Sequence, residues 1–479
     1  MIRNRDDIES RTKSGIRARI RAAVPTFTLA TAAIASSAAA IVACGDADPL
    51  VLDDPTPDAA ADVVDASIPP VNDASDEDMD GDADAAPPVY DASDEPVVCA
   101  TTPCVTQLAA GNLHFCALLS DRTVHCWGTD TRGSLGRGIP DGSVAPSSTP
   151  QPVVEMTNAT QISVGPQGNT TCARDTEGRV WCWGENSNAQ LGLEESTGVR
   201  DTVAHPTPTP VALTVPVVRV DVGQGTVCAI TADRKVYCWG GNASMQLARP
   251  ELTNFYGGVG RAQLGDYEVT RTLHNLYSSF AITTYGQLLG WGRPSGRPSS
   301  LPSNDGIATP VPLPGLGDVT QIATSGTSGS NGHQCVIARG RVHCWGSNIR
   351  GELGNGVPDG QQVPGFAGII AEPGVFPQQL ALGAHRTCVR MTDGTVQCCG
   401  DDRLGALGRG GDAGSFSSRI GPAAAFEEHA VQLVSSTHAT CALVQGGKVM
   451  CWGGNANGEL GQGTTDTEPH PTPVTVVFP

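Results

Sequence analysis

The stretch "CALLSDRTVHCWG", residues 116–128, sets two cysteines ten positions apart around a short polar turn. It returns as "CARDTEGRVWCWG" (172–184), "CAITADRKVYCWG" (228–240), "CVIARGRVHCWG" (335–346) and "CALVQGGKVMCWG" (441–453). The closing "WG" marks a period through Trp127, Trp183, Trp239, Trp291, Trp345 and Trp452, with Cys399 in the tryptophan position of a seventh copy. Successive copies are 52 to 56 residues apart. Self-similarity at that period is the signature of a propeller or a stacked array.

Each copy holds the content of four short antiparallel strands. It opens on an alternating run such as "TQLAAG" (106–111) or "TQISVG" (160–165), then passes through the two cysteine-bearing strands. A longer loop follows, with "GSLGRG", "GELGNG" or "GELGQG", and a Pro-Val strand such as "PQPVVEM" (150–156) closes the unit. Gly 58 and Pro 35, against 16% charged residues, favour turns and strands over long helices. Seven units suit a closed ring that leaves only short outer edges. The expected fold is all-β, a seven-bladed β-propeller of four-stranded antiparallel blades.

Turn arithmetic points to the same hairpin. Cys172 and Cys182 stand opposite one another if the loop is Thr176-Glu177-Gly178, with glycine at the left-handed position of a three-residue turn. Thr284-Tyr285-Gly286, Thr392-Asp393-Gly394 and Gln445-Gly446-Gly447 repeat it. Cys335 and Cys344 are one residue closer and stay opposed if the loop is the pair Arg339-Gly340. Opposed cysteines on adjacent strands lie within disulfide reach. Six within-blade bridges are therefore expected: Cys116–Cys126, Cys172–Cys182, Cys228–Cys238, Cys335–Cys344, Cys388–Cys398 and Cys441–Cys451. Cys99 and Cys104 are left to pair with each other, Cys399 is odd, and the fourth copy carries Phe280 and Gly290 instead. Structural zinc fits poorly, because these pairs lack the two-to-four-residue knuckle spacing.

Sixteen cysteines suit an oxidising compartment, and the start of the chain agrees. A basic leader precedes the apolar "VPTFTLATAAIASSAAAIVA" (24–43), the layout of a signal peptide. "IVACG" (41–45) resembles the lipobox of bacterial lipoproteins, which implies cleavage before Cys44 and acyl chains on that cysteine. A membrane-spanning helix or an ordinary secretory signal are the alternatives, and each exports the body. The expected organisation is a signal peptide at 1–43, a disordered Asp/Ala/Pro tether at 44–98 and the propeller at 99–479. Residues 45–98 hold 17 acidic and no basic side chains, so the tether is too polar to fold and is stretched by its own charge. Asp76, Asp78, Asp80, Gly81 and Asp82 mimic the start of a calcium loop, but Pro87 stands where its bidentate glutamate belongs. A net charge of −19 argues against nucleic acid as a partner.

The repeats resemble those of the regulator of chromosome condensation family, whose unit runs strand, Gly-x-x-His, strand, Gly-x-Val-x-x-Trp-Gly-x-Asn, Gly-Gln-Leu-Gly-x-Gly. "GRVWCWGENSNAQLG" (178–192) and "GKVMCWGGNANGELGQG" (447–463) carry the likeness, which covers about residues 105–479. It implies a seven-bladed propeller without fixing a function, since the family includes a nucleotide exchange factor, a light sensor and a secreted enzyme inhibitor. The third copy, with "NASMQLA", and the fourth, with "QLLGWG", depart from the pattern, so their blades are expected to be the least regular.

No catalytic signature recurs. The "LGRG" type of motif lacks the strand before and helix after that a phosphate loop needs, and His114, His333, His385 and His438 do not form a ring of equivalent positions. No cofactor or metal is implied. The expected protein is a non-catalytic, monomeric lipoprotein of the cell surface or periplasm, outer membrane included, that binds a protein or glycan. Alternatives are a secreted enzyme inhibitor, a structural envelope protein, a guanine-nucleotide exchange factor if the leader is misread, or a lyase or hydrolase on one irregular blade. Strand parity places the connections between strands 1–2 and 3–4 at one mouth of the ring, and the variable segments "LEESTGVRDTVAH", "ARPELTNFYGGVGRAQLGD" and "VPDGQQVPGFAG" fall there. Loops on a rigid scaffold carry binding residues, so Glu194, Glu195, Arg200, Phe255, Tyr256 and Phe366 are expected around that one mouth.

Overall fold

The computed structural model describes residues 95–139, 145–193, 201–252, 254–293, 306–326, 332–358, 361–411 and 413–479. The signal peptide, Cys44, the tether as far as residue 94, and Glu194, Glu195 and Arg200 lie outside the described residues. Seven four-stranded antiparallel sheets follow one another. They are blades 1 to 7: Val105–Pro152, Ala159–Pro210, Val217–Arg261, Val269–Pro312, Val319–Phe366, Pro377–Pro422 and Ala430–Thr475. In each, spatial order equals chain order, so no described strand is lent from one end of the chain to a blade at the other.

Alternation accounts for the outer strands and fails for the second strand. Strand 2 of blade 1 (His114–Leu119) is buried at every residue, and its counterparts in blades 3 to 7 are the same. The cause is packing on both faces of each blade. Trp183 of blade 2 lies against Leu118, Val124 and Leu135 of blade 1, and the last blade meets the first through Phe115, Trp127, Leu443 and Val449. Each "WG" tryptophan is thus a wedge between neighbours. In five of the six the indole N–H donates backward to the preceding blade: Trp183 to the Ser134 carbonyl, Trp239 to Gln190, Trp291 to Gln246, Trp452 to Ala406 and, across the ring closure, Trp127 to Glu459. Cys399 takes the same slot with its Sγ 3.4 Å from the Glu352 carbonyl.

A second inter-blade device sits on strand 1. The Gln161 side chain accepts from Val220 N–H at 3.0 Å and donates to Val220 C=O at 2.8 Å. Gln107 treats Ile162 of blade 2 in the same way, and Gln432 of blade 7 does so to Leu108 of blade 1. The glutamine of the "TQ" and "VQ" runs therefore acts as a mock strand residue, satisfying a backbone pair that no real strand reaches.

The hairpins adopt the expected register. Cys116 faces Cys126, Cys172 faces Cys182, and the remaining four pairs match likewise. All six pairs are bridged at a Cα separation of 4.1 Å, and Cys99–Cys104 is bridged at 5.7 Å. Seven bridges fit an oxidising, exported setting. Each ten-residue loop closure contributes roughly 2–3 kcal/mol through the unfolded chain. In blade 5 the strands meet at Ala338 and Arg341, leaving Arg339-Gly340 as a two-residue turn with both φ positive, 51° and 67°.

Among the described residues, blades 3 and 4 pair their four strands as the other blades do, although the sequence marks them as the least regular. In blade 4 Phe280 faces Gly290, and the ring covers the space a glycine Cβ would take, 3.5 Å away. An aromatic lid over glycine replaces the staple. In blade 3 the loop keeps its shape because Met245 and Ala248 hold the left-handed conformation, φ 65° and 50°, as Ala189 does in blade 2 at φ 58°, where blade 1 uses Gly133 and Gly136. Tertiary packing overrides the local preference at a cost of about 1 kcal/mol per residue.

Residues before blade 1 form a strap. Glu95 pairs with Arg390 of blade 6 at 2.6 Å and with His429 at 3.0 Å. Val98 N–H donates to the Gln445 side chain and Ala100 N–H to Gly446 C=O of blade 7. Cys104 exchanges hydrogen bonds with Ser120 of blade 1. The chain thus contacts the propeller ahead of Cys99. Among the described residues no helix is long and apolar enough to cross a membrane.

Candidate functional site

Antiparallel order gives the ring two rims. Connections 1–2 and 3–4 share the loop rim; the 2–3 turns and the links between blades share the turn rim. On the loop rim the 3–4 connections of six blades, all but blade 4, are each built on one capping side chain. Asp130, Asn186, Asn242, Asn348, Asp402 and Asn455 each accept from the backbone N–H of the leucine five residues on. That bond buries the leucine under the next tryptophan and leaves the rest of the loop to vary.

Blade 3 uses this freedom most. The Asn242 side-chain amide donates to the carbonyls of Leu252 and Asn254, and its backbone N–H donates to Phe255 C=O at 2.7 Å. The Arg249 guanidinium reaches under the loop to the carbonyls of Cys238 and Gly258. Gly257 and Gly260 make room for it, since a Cβ at either would fall 2.5 and 2.2 Å from the guanidinium. The result is a pinned loop whose Phe255 side chain is 70% exposed, with Tyr256 beside it and Met245 exposed on the same connection. The run "NFYGGVGR" reads as loop chemistry, but the arginine pin beneath it has no short-range signature.

Phe366 does not join this group. It ends strand 4 of blade 5 (Gln361–Phe366), while Tyr256 begins strand 4 of blade 3 (Tyr256–Arg261). Strand-4 starts and ends lie on opposite rims, so the sequence expectation of a single mouth fails for Phe366. The strand begins at Gln361, three residues ahead of the Pro364-Gly365-Phe366 run, which carries Phe366 through to the turn rim. There its ring lies 4.5 Å from that of His343, under the Arg341 guanidinium at 5.6 Å.

The histidines are structural. His114, His274 and His333 are fully buried, and burial lowers each pKa to about 4. His333 Nε2 lies 2.8 Å from the Thr387 hydroxyl of the next blade, and His114 Nε2 lies 3.5 Å from that of Thr171. His385 Nδ1 is 3.0 Å from a carboxylate oxygen of the fully buried Glu352. Burial works against that carboxylate, but hydrogen bonds from His385 and the Arg350 amide keep it below its ordinary range. Cys399 is buried and its thiol is pushed up to about 12, chiefly by that burial, which removes it as a nucleophile. Among the described residues no three His, Cys, Asp or Glu side chains converge to hold a metal ion.

One cleft of about 310 Å³ opens on the turn rim of blade 3. Arg234, Lys235 and Arg261 wall it, with Val236, Leu264 and Tyr267 as its apolar part. Lys235 is already paired with Asp233.

Comparison with known proteins fits this architecture. The family model for the regulator of chromosome condensation (RCC1) repeat matches residues 105–134, 159–190 and 217–246, and a second model of that repeat matches 177–230. The chain is similar to the RCC1 domain-containing protein RUG3, mitochondrial, of Arabidopsis thaliana, at 26% identity over 55% of this chain and 59% of that one. It is also similar to the human regulator of chromosome condensation, at 27% identity over 67% of this chain and 78% of that one. The solved structure of Prp20p from Saccharomyces cerevisiae superposes with a TM-score of 0.60 at 19% identity, covering 78% of this chain and 87% of that one. The matches therefore leave part of each relative uncovered, about two fifths of the plant protein. The chain is a seven-bladed propeller, and its first three blades match the regulator of chromosome condensation repeat.

Proposed function

We propose that this chain is an exported, non-catalytic binding protein, held at a membrane by acyl chains on Cys44 and presenting its loop rim to a protein or glycan. The observation that carries the reading is the blade 3 loop, where Asn242 and Arg249 pin the backbone and leave Phe255 exposed. A rigid aromatic on a fixed loop loses little entropy when it is covered, which is the usual character of an interface anchor. Protein partners are known for a structural neighbour, Prp20p, which binds Gsp1p and histones. That neighbour lends the principle of a protein of this fold binding other proteins and not the identity of the partner. Glu194, Glu195 and Arg200 belong to the variable segment of blade 2 at the same rim and are proposed to extend the surface.

The test is capture of envelope components by the full chain, followed by paired substitutions. Phe255→Ala with Tyr256→Ala is expected to weaken the partner by roughly 1–3 kcal/mol in total. Arg234→Ala with Arg261→Ala at the turn-rim cleft is expected to leave it unchanged. The opposite ranking would move the site to the cleft and to an anionic ligand. Anchoring is tested separately: Cys44→Ser should abolish incorporation of a fatty-acid probe and release the mature chain from membranes.

A further inference from the structure

The turn rim carries an apolar patch that the proposed partner surface does not use. Between blades 5 and 6 the link runs "AGIIAEPGVF" (367–376), and it ends with Ile370 62% exposed and Phe376 43% exposed beside Phe366 at 57%. The patch is built rather than loose. Ile370 N–H donates to the Gln397 side chain, Phe376 exchanges hydrogen bonds with Thr392, and Arg341 stacks over Phe366. Gly340 of the blade 5 turn lies under Phe376, its absent Cβ 3.4 Å from the ring.

Where the chain enters decides what the patch meets. Thr392, bonded to Phe376, is two residues from Arg390, and Arg390 holds Glu95, the first described residue. From Glu95 the strap runs through blade 7 to blade 1, and Glu95 itself sits on the turn rim against Arg390 of blade 6 and His429 of the link to blade 7. Fifty residues separate Glu95 from Cys44, and a random-coil chain of that length spans on the order of 40 Å. An anchored chain therefore keeps this rim within reach of the bilayer. Exposed Phe and Ile tips beside Arg341, with Arg339 paired to Asp318 and the exposed Glu372 in the same link, have the composition of surfaces that seat in the headgroup layer, with apolar tips inward and charged groups at headgroup level.

We infer that the turn rim at blades 5 and 6 is a lipid-facing surface, seated on a phospholipid bilayer through Phe366, Ile370 and Phe376, so that the loop rim faces outward. This rests on the Cys44 anchor, and the experiment keeps the two apart. The lipidated full chain is bound to vesicles of phosphatidylcholine with a minor fraction of phosphatidylglycerol, and flotation reports the anchor. An environment-sensitive fluorophore is placed on Ile370→Cys or, as a control, on Phe255→Cys; Cys399 is buried and stays unlabelled in the folded protein. The expected result is a blue shift and several-fold stronger quenching by acyl-chain nitroxides at position 370 than at 255. Phe366→Ser with Phe376→Ser should remove that difference while flotation persists. Floating protein with equal quenching at both positions overturns the lipid surface and leaves the anchor standing. A blue shift at 370 without vesicles that grows with protein concentration assigns the patch to a second copy and overturns it as well. Failure to float overturns the anchor and this inference together.

Discussion

Cys399 shows what one position between blades requires. Six described tryptophans fill that slot, five of them donating an indole N–H to the preceding blade, whereas Cys399 offers only a thiol 3.4 Å from the Glu352 carbonyl. Gly354 crowds it, since a Cβ there would sit 3.0 Å from the sulfur. Enclosure and the nearby Glu352 carboxylate both push its pKa up, to about 12. A thiol that is protonated and shut away does not react. In nonreducing buffer, a maleimide should therefore label no cysteine of the folded propeller and one per propeller after denaturation. Labelling at full stoichiometry without denaturant would show that the blade 5–6 interface opens. The cysteine count leaves Cys399 odd, and only the packing shows that it replaces a wedge rather than seeking a partner.

Between elements, the clamps on strand 1 carry stability that no composition argument shows. Gln161 satisfies both backbone groups of Val220, which is buried. Gln161→Ala is expected to destabilise by roughly 1–3 kcal/mol, the cost of leaving buried peptide groups unpaired. Gln161→Glu retains the acceptor and loses the donor, so urea unfolding should rank it between wild type and Ala. Equal stability of all three would show that water replaces the amide. The ladder of strands, the hairpin register and the six staples were legible in the spacing of cysteines, glycines and "WG" pairs, because hairpins are local. The glutamine clamps were not, since their partners are 50 or more residues away. The rim assignment of Phe366 was missed for a related reason: strand 4 follows a loop of variable length, and no local signal marks where pairing resumes.

Across the whole molecule the ring has to close on itself, and its acid response and its seam follow from how it does so. His114, His274 and His333 are sealed neutral under the loop rim of blades 1, 4 and 5, with folded pKa values of about 4 against 6.5 in an open chain. As pH falls below 6.5 the unfolded chain takes up these protons first, so stability is full above 6.5 and falls until about 4. Below that these groups add no further loss. The scale is on the order of 3 kcal/mol per histidine. Urea midpoints should drop across that window, and His114→Thr, the residue type at the matching positions Thr170 and Thr226, should flatten the drop. The seam lies between blades 7 and 1. No strand is shared across it, so it is held by the packing of Trp127, the Gln432–Leu108 clamp, the bond from Thr437 to Asn112, and the strap. The first three resemble any other blade boundary; only the strap spans blades 6, 7 and 1 at once, locked by Cys99–Cys104. Arrays of repeats open from their ends when nothing joins them. Cys99→Ser with Cys104→Ser and Glu95→Gln should therefore speed hydrogen exchange in strand 1 of blade 1 (Val105–Ala110) and of blade 7 (Ala430–Ser435). Exchange in blades 3 and 4 should stay unchanged. A uniform increase over all seven blades would mean that the ring unfolds as one unit and that the strap stabilises it only globally.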